Sequence, residues 1–371
     1  MKIALVSTGL GRVLRGFESF TDSLFVALQR YAPGVDVTLF QGGGISHERR
    51  VIVPNFHRAD LPARWFDPLT ASHWETRSFA LALYFWMGIK DCDIVHYNEL
   101  TMGSALFHLR RMFGGKFKLL YCNGAPSPAI HYHHRCDFAQ LLTEPDYAQA
   151  IAFGMSKDRL FQVPYGVDAE LFHPRHKHGR ASLRLELGIP SNARVILSVA
   201  AVKRDHKRID YLIQEAARLE TDVWLVVAGQ PTQDTSFLET LAERLMPGRW
   251  LFVSCPHKRV AELYGAADAF VLCSLTEAFG LVSVEAMLSG LPVALHHGPV
   301  FQWLAQGTSA RLIDMERPGS LTEALKEILA TRAAAERSTV LQRMRDTASR
   351  RFSWQEILPQ YLDLYRTALG H

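Results

Sequence analysis

Short apolar runs bounded by turn residues recur along the whole chain and most constrain its fold. KIALVS (2–7), VDVTLF (35–40), DIVHYN (93–98), KLLYCN (118–123) and LFQVPYG (160–166) form one series. RVILSVA (194–200), VWLVVAG (223–229), WLFVSC (250–255), AFVLCS (269–274), PVALHH (292–297) and the weaker SARLID (309–314) form a second. Most lack strict apolar–polar alternation, as strands buried on both faces of a parallel sheet do. Between them lie helix-period stretches such as FESFTDSLFVALQRY (17–31), RIDYLIQEAARLE (208–220) and SLTEALKEILA (320–330). Strand, helix, strand at this spacing predicts a doubly wound α/β architecture, and its repetition predicts two Rossmann-like domains. The boundary falls around 165–182, giving a first domain of 1–168 plus 353–371 and a second of 169–352. Residues 41–75 and 124–136 read as long irregular loops, suited to binding.

Composition narrows the function. The chain has 371 residues, 48% apolar, with a net charge of +4. Lys and Arg number 17 against 14 acids through residue 163 and 24 against 23 after it, so neither half has the excess of a nucleic-acid binder. The apolar start is too short for a signal peptide, and no run reaches the length of a spanning helix. Five cysteines without a C-x-x-C read as buried thiols in a reducing compartment, and the expected location is the cytoplasm. Peripheral contact with the inner membrane face is the lesser alternative. It rests on the basic, aromatic stretch Phe107, Arg110, Arg111, Phe113, Lys116, Phe117 and Lys118.

In open parallel sheets ligands bind outside the carboxyl ends of the strands. After AFVLCS comes LTEAFGLVSVEAMLSGLPV, with Glu277 and Glu285 eight positions apart. Phe279, Gly280 and Leu281 open a helix whose free backbone N–H groups make an anion site, and Gly280 lets a phosphate approach the backbone. The two carboxylates beside it are poor phosphate ligands but good acceptors for sugar and ribose hydroxyls. The plainer alternative is an acid complementing a helix dipole plus an exposed Glu.

EAFGLVSVEAMLSGLPV resembles the E-x7-E signature of retaining glycosyltransferases of family 4, which have the GT-B fold. VPYGVDAELFHP (163–174), HKRIDYLI (206–213), AELYGAADAFVLCSLTEAFG (261–280) and FSW (352–354) follow in family order. The resemblance implies two Rossmann-like domains facing a cleft and a last helix crossing back to the first domain. It implies that Glu277 contacts the donor sugar, that Glu285 binds ribose, and that backbone at 279–281 holds the diphosphate. Lys207 matches the family's phosphate Lys. Ala201 stands where the family has an Arg and Ala200 where a Gly is usual; Lys203 or Arg204 are the candidate replacements on that loop. The base is expected against WLFVSC and Pro256-His257.

The first loop, STGLGRVLRGFESF (7–20), corresponds to the family's Gly-rich loop. Leu14 breaks a G-x-G-x-x-G dinucleotide fingerprint, whereas Gly9, Gly11, Arg12, Arg15 and Gly16 suit a phosphate-facing loop. Arg15 is the expected replacement cation. Asn123 occupies the place of a family His near the donor sugar and can hydrogen-bond but not act as a base. His96 matches another family position, with a buried core role as its alternative. His131, with His133 and His134, reads as acceptor-side or solvated. Asp91-Cys92-Asp93 mimics a metal-binding D-x-D but precedes its strand.

The implied reaction is metal-independent, cofactor-free sugar transfer with retention, from a nucleotide-diphosphate sugar to a hydroxyl acceptor: a saccharide, a lipid-linked or a small molecule. Two alternatives stand beside it: a sugar-nucleotide epimerase of the same fold, and a non-catalytic two-domain binding protein.

Overall fold

The computed structural model describes residues 1–13, 16–62, 65–124, 135–174, 177–330 and 334–370. Contacts divide the chain into two units, Met1–Gly166 with Trp354–His371, and Val167–Ser353.

The first unit is built on seven strands: β1 (Lys2–Ser7), β2 (Asp36–Gln41), β3 (Arg50–Ile52), β4 (Ile94–Tyr97), β5 (Lys118–Cys122), β6 (Phe138–Leu141) and β7 (Leu160–Gln162). Their order is β3-β2-β1-β4-β5-β6-β7, every pair parallel. Helices α1 (Gly16–Tyr31), α2 (Pro68–Trp86), α3 (Leu100–Phe113) and α4 (Glu144–Ala152) make the crossovers. The central strands are buried because helices cover both faces: β4 has no exposed residue, and Phe79, Leu83, Leu106 and Leu119 are fully buried in one core cluster.

The second unit holds β8 (Arg194–Val199), β9 (Val223–Ala228), β10 (Trp250–Val253), β11 (Ala269–Leu272), β12 (Val293–His296) and β13 (Arg311–Ile313). They run in the order β10-β9-β8-β11-β12-β13, again all parallel. Its helices are α5 (Lys177–Glu186), α6 (Ile209–Ala216), α7 (Thr235–Leu245), α8 (His257–Ala266), α9 (Leu281–Leu288), α10 (Pro299–Ala305), α11 (Ser320–Leu329) and α12 (Ala334–Phe352). In both sheets the chain starts at an inner strand and winds outward in two directions. The switch points therefore lie between β1 and β4 and between β8 and β11.

The last helix, α13 (Trp354–Leu369), runs through Pro359 and packs in the first unit. Trp354 Nε1 donates to Ser23 Oγ at 2.6 Å, and Gln140 Nε2 donates to Tyr361 Oη at 2.7 Å. Its apolar stripe, Trp354, Ile357, Leu358, Tyr361 and Tyr365, is buried.

Two strands depart from the sequence reading. β3 and the start of α2 lie inside 41–75, so that segment is not one long loop. β3 is a three-residue edge strand, too short to carry a period. β6 hides behind Gln140, a buried polar residue whose Nε2 donates to Val163 O at 2.8 Å and to Tyr361 Oη at 2.7 Å.

Candidate functional site

At the second unit's switch point the loop after β8 meets the loop after β11. Lys207 Nζ is ion-paired with Glu277 Oε1, and His206 Nε2 lies 3.3 Å from the same oxygen. Burial alone would raise the Glu277 carboxyl, but the hydrogen bonds and charge from His206 and Lys207 outweigh it and hold the group down at about 2. It is a carboxylate at any physiological pH. Arg208, which follows, adopts a left-handed φ of +51° and caps α6. Such a conformation is costly for a side-chain-bearing residue. It is held by Arg208 Nη1 donating to Met315 O at 2.9 Å and by stacking on Tyr211 at 4.4 Å.

Glu277 leads into Gly280, whose φ of +86° is again left-handed and caps α9. A Cβ there would meet Phe301 and Ser283 at an ordinary 3.6 Å, so conformation rather than space demands glycine. Ser283 N–H donates to Gly280 O at 2.9 Å, and the N–H groups at the very start of α9 carry the positive end of the helix dipole. Phe279 turns its ring into the core, 5.6 Å from Phe352. Only its backbone serves the site. One and a half turns into α9, Glu285 is buried, with Oε1 2.9 Å from His257 Nε2 and Oε2 accepting from Tyr264 Oη at 2.9 Å. Burial, then the Glu285 charge, keeps the Tyr264 phenol protonated. Each carboxylate oxygen retains a second lone pair for an incoming hydroxyl. His257 opens α8 directly after its cap, Pro256.

The candidate replacements for the missing Arg point elsewhere. Lys203 is 3.1 Å from Asp205, and Arg204 is held by Asp234 at 3.5 Å and stacked on Phe237 at 4.6 Å. Ala200 and Ala201 lie where the backbone is pressed against Gly229: a Cβ on Gly229 would sit 1.9 Å from Ala200 O. Close approach in this loop is thus made by Gly229.

At the first unit's switch point Thr8 Oγ1, after β1, donates to Glu99 Oε2, after β4, at 2.6 Å. Gly11, at φ +81°, lies against Gly43, whose carbonyl would be 2.3 Å from an added Cβ. Arg12, expected to face phosphate, is instead 3.4 Å from Glu75. Glu75 is a buried acid that also accepts from Arg58 Nε at 2.5 Å and lies 3.8 Å from His57. Asn123 is buried after β5, its N–H donating to Gln140 O at 3.0 Å. His96 is a core residue, with Nδ1 2.9 Å from Tyr365 Oη. Burial, against a Gln140 hydrogen bond, lowers it to about 3 and keeps it neutral. Arg15 and His131, with His133 and His134, lie outside the described residues. Asp93 takes the N–H of Lys2 at 2.7 Å, at the start of β1 and so opposite the switch point.

Sequence reasoning missed His206, Tyr264 and the partnership of His257 with Glu285. His206 adjoins Lys207 and carried a signal; Tyr264 carried none. Among the described residues, His296, His297 and Asp314 bring metal-ligating atoms within 4.8 Å of one another, but His296 Nδ1 already accepts the Met315 N–H at 3.3 Å.

The comparisons decide the fold. Sucrose-phosphate synthase from Thermosynechococcus elongatus superposes with a TM-score of 0.81 at 22% identity, over 100% of this chain and 99% of that one. Anabaena HepE in complex with UDP-glucose gives 0.76 at 18%, over 98% and 99%. The fold is GT-B. Residues 180–345, within the second unit, match the family model described as glycosyl transferases group 1. D-inositol 3-phosphate glycosyltransferase 1 of Catenulispora acidiphila is 34% identical over 244 residues, 61% of this chain and 56% of its own. The Xylanimonas cellulosilytica D-inositol 3-phosphate glycosyltransferase is 33% identical over 226, covering 58% and 53%. The chain spans about half the length of these curated relatives. No helix among the described residues is long and apolar enough to cross a membrane.

Proposed function

We propose that this GT-B chain is a glycosyltransferase that moves a hexosyl group from a nucleotide-diphosphate sugar to a hydroxyl acceptor, with retention and without a metal. One observation carries the reading: Lys207, the start of α9, Glu277 and Glu285 converge at the switch point of the segment that matches the group 1 family. Departure of a nucleoside diphosphate loads negative charge on phosphate, and Lys207 with the α9 N-terminus supplies fixed positive potential for it. Glu277, ionised and mostly withdrawn from solvent, accepts a sugar hydroxyl; Glu285, oriented by His257 and Tyr264, accepts the ribose hydroxyls. In the retaining scheme the acceptor arrives on the leaving-group face and a phosphate oxygen takes its proton, so no side-chain nucleophile is required. A uridine nucleotide donor is supported by structural neighbours solved with UDP and UDP-glucose. A polyol or sugar phosphate acceptor is suggested by the inositol 3-phosphate relatives.

The test is calorimetric titration with UDP, GDP and ADP, followed by product analysis of the donor with and without acceptor. Binding of one nucleotide with slow donor hydrolysis supports the reading. Epimerised donor without acceptor would favour the epimerase, and a bound nucleotide sugar that never turns over would favour a binding protein.

A further inference from the structure

The first unit carries a surface that the sugar-transfer reading leaves unused. Trp74, Leu81 and Phe85 recur along one side of α2 and are exposed, as are Trp86, Met112 and Phe113. The exposure is not scattered. Phe85 lies 5.3 Å from the Phe113 ring and 6.0 Å from Trp86, and Lys90 Nζ sits 5.6 Å above Phe85. Beside this cluster, α2 and α3 enclose a groove of about 640 Å³. Its floor is apolar, with Leu81, Leu109 and Met112, and its cations are Arg77 and Arg135.

Charge on this face is predominantly positive, with the exposed acids Asp67 and Asp91 only at its two ends. Between Pro68 and Lys90, and between Leu100 and Lys118, the single carboxylate is Glu75, and it is buried. Arg77, Lys90, Arg111 and Lys116 are all exposed. A second copy seated face to face would set these cations against themselves, whereas an anionic surface would meet them all. Exposed aromatic rings among cations suit the headgroup region of a bilayer, where an apolar body and a polar rim are both accommodated. The face differs from the stretch expected from sequence: Phe117 is fully buried and Arg110 is bound to Asp137 at 3.1 Å, so only part of 107–118 is available.

We propose that the α2–α3 face docks the protein on an anionic lipid bilayer, with Phe85, Trp86 and Phe113 entering the interface and Arg77, Lys90, Arg111 and Lys116 meeting headgroup phosphates. The inference rests on none of the catalytic assignments.

The full chain is sedimented with vesicles of phosphatidylcholine, with and without phosphatidylglycerol, at low and high salt, while tryptophan emission is recorded. Expected is at least about tenfold tighter partition to the anionic vesicles at low salt, weakened by salt, with a blue shift of emission. Trp86→Ser/Phe113→Ser and Arg77→Glu/Arg111→Glu should each lower partition about tenfold. Circular dichroism and nucleotide affinity, which reports on the second unit, should stay unchanged. Absence of binding to anionic vesicles at low salt would overturn the proposal, as would binding indifferent to both variants. So would a dimer in light scattering that Trp86→Ser/Phe113→Ser dissolves, since it would give the face to a second copy.

Discussion

The two switch points solve the same problem with different chemistry. Each sets a carboxylate from the outward-wound half against a group on the first loop: Glu99 against Thr8 in the first unit, Glu277 against Lys207 in the second. The first pair is a neutral hydroxyl and an acid, the second a partly buried cation and an acid. In the proposed reaction the second is the phosphate-binding one, because an arriving diphosphate would take over a lysine that is already oriented and partly withdrawn from water. Among the described residues the first offers a polar wall in which Arg12 is paired with Glu75. On the proposed function, donor chemistry and acceptor chemistry should therefore separate under mutation.

Lys207→Met is the sharpest way to break that contrast. It strands Glu277 with only His206 and should destabilise the second unit by about 3 kcal/mol. Turnover should fall ~100–1000-fold, read from initial rates. The pH dependence carries a sign. Glu277 sits at about 2 against an ordinary 4.5, so its pair stabilises fully above 4.5 and is lost as pH falls toward 2. In Lys207→Met that acid loss should start from the same upper limit, end at a higher pH and be smaller, as melting temperatures across the acid range will report. Identical acid limbs would remove Lys207 as the partner.

Glu285→Gln ranks next. It keeps shape but exchanges a charged acceptor, and free nucleotide should bind more weakly by about 2 kcal/mol by calorimetry. Thr8→Val then probes the first unit, where loss of the hydrogen bond to Glu99 should cost about 1.5 kcal/mol of stability and leave nucleotide affinity unchanged. A nucleotide effect of the same size as at Glu285 would erase the distinction between the two switch points. Gly280→Ala is the mildest: a Cβ has room, so only the left-handed φ is penalised, by about 1 kcal/mol in thermal melts.

The same contrast explains what could be read beforehand. The strands around both switch points are continuous apolar runs, and their positions were legible because burial on two faces leaves few other compositions. In the second unit the site is compact in sequence: Glu277, Gly280 and Glu285 lie on one strand–loop–helix passage, so spacing exposed them. Lys207 stood in a basic loop at the start of a helix. In the first unit, by contrast, Arg12, His57, Arg58 and Glu75 come together from three separate stretches. No local pattern announces such a cluster. His96 could be read two ways from sequence, as a family position or as a core residue, and its Nδ1 lies 2.9 Å from Tyr365 Oη in the core. Arg204 likewise carried the right charge on the right loop, but Asp234 and Phe237 hold it.

The docking of α13 in the first unit bears on how the protein is made. Val167 pairs with Ser353, and a Cβ on Gly166 would sit 2.3 Å from the Trp354 ring, so the chain leaves the first unit and re-enters it at one seam. A ribosome delivers Met1–Gly166 early and Trp354–His371 only after all of the second unit. Until then His96, Gln140 and Phe20 lack the tyrosine and tryptophan side chains that cover them. The nascent first unit must wait, incomplete, while its younger neighbour has every residue it needs to finish folding. Chaperone demand during synthesis should accordingly fall on the N-terminal half, and fusion or cleavage near the last helix should injure the part of the protein that was translated first.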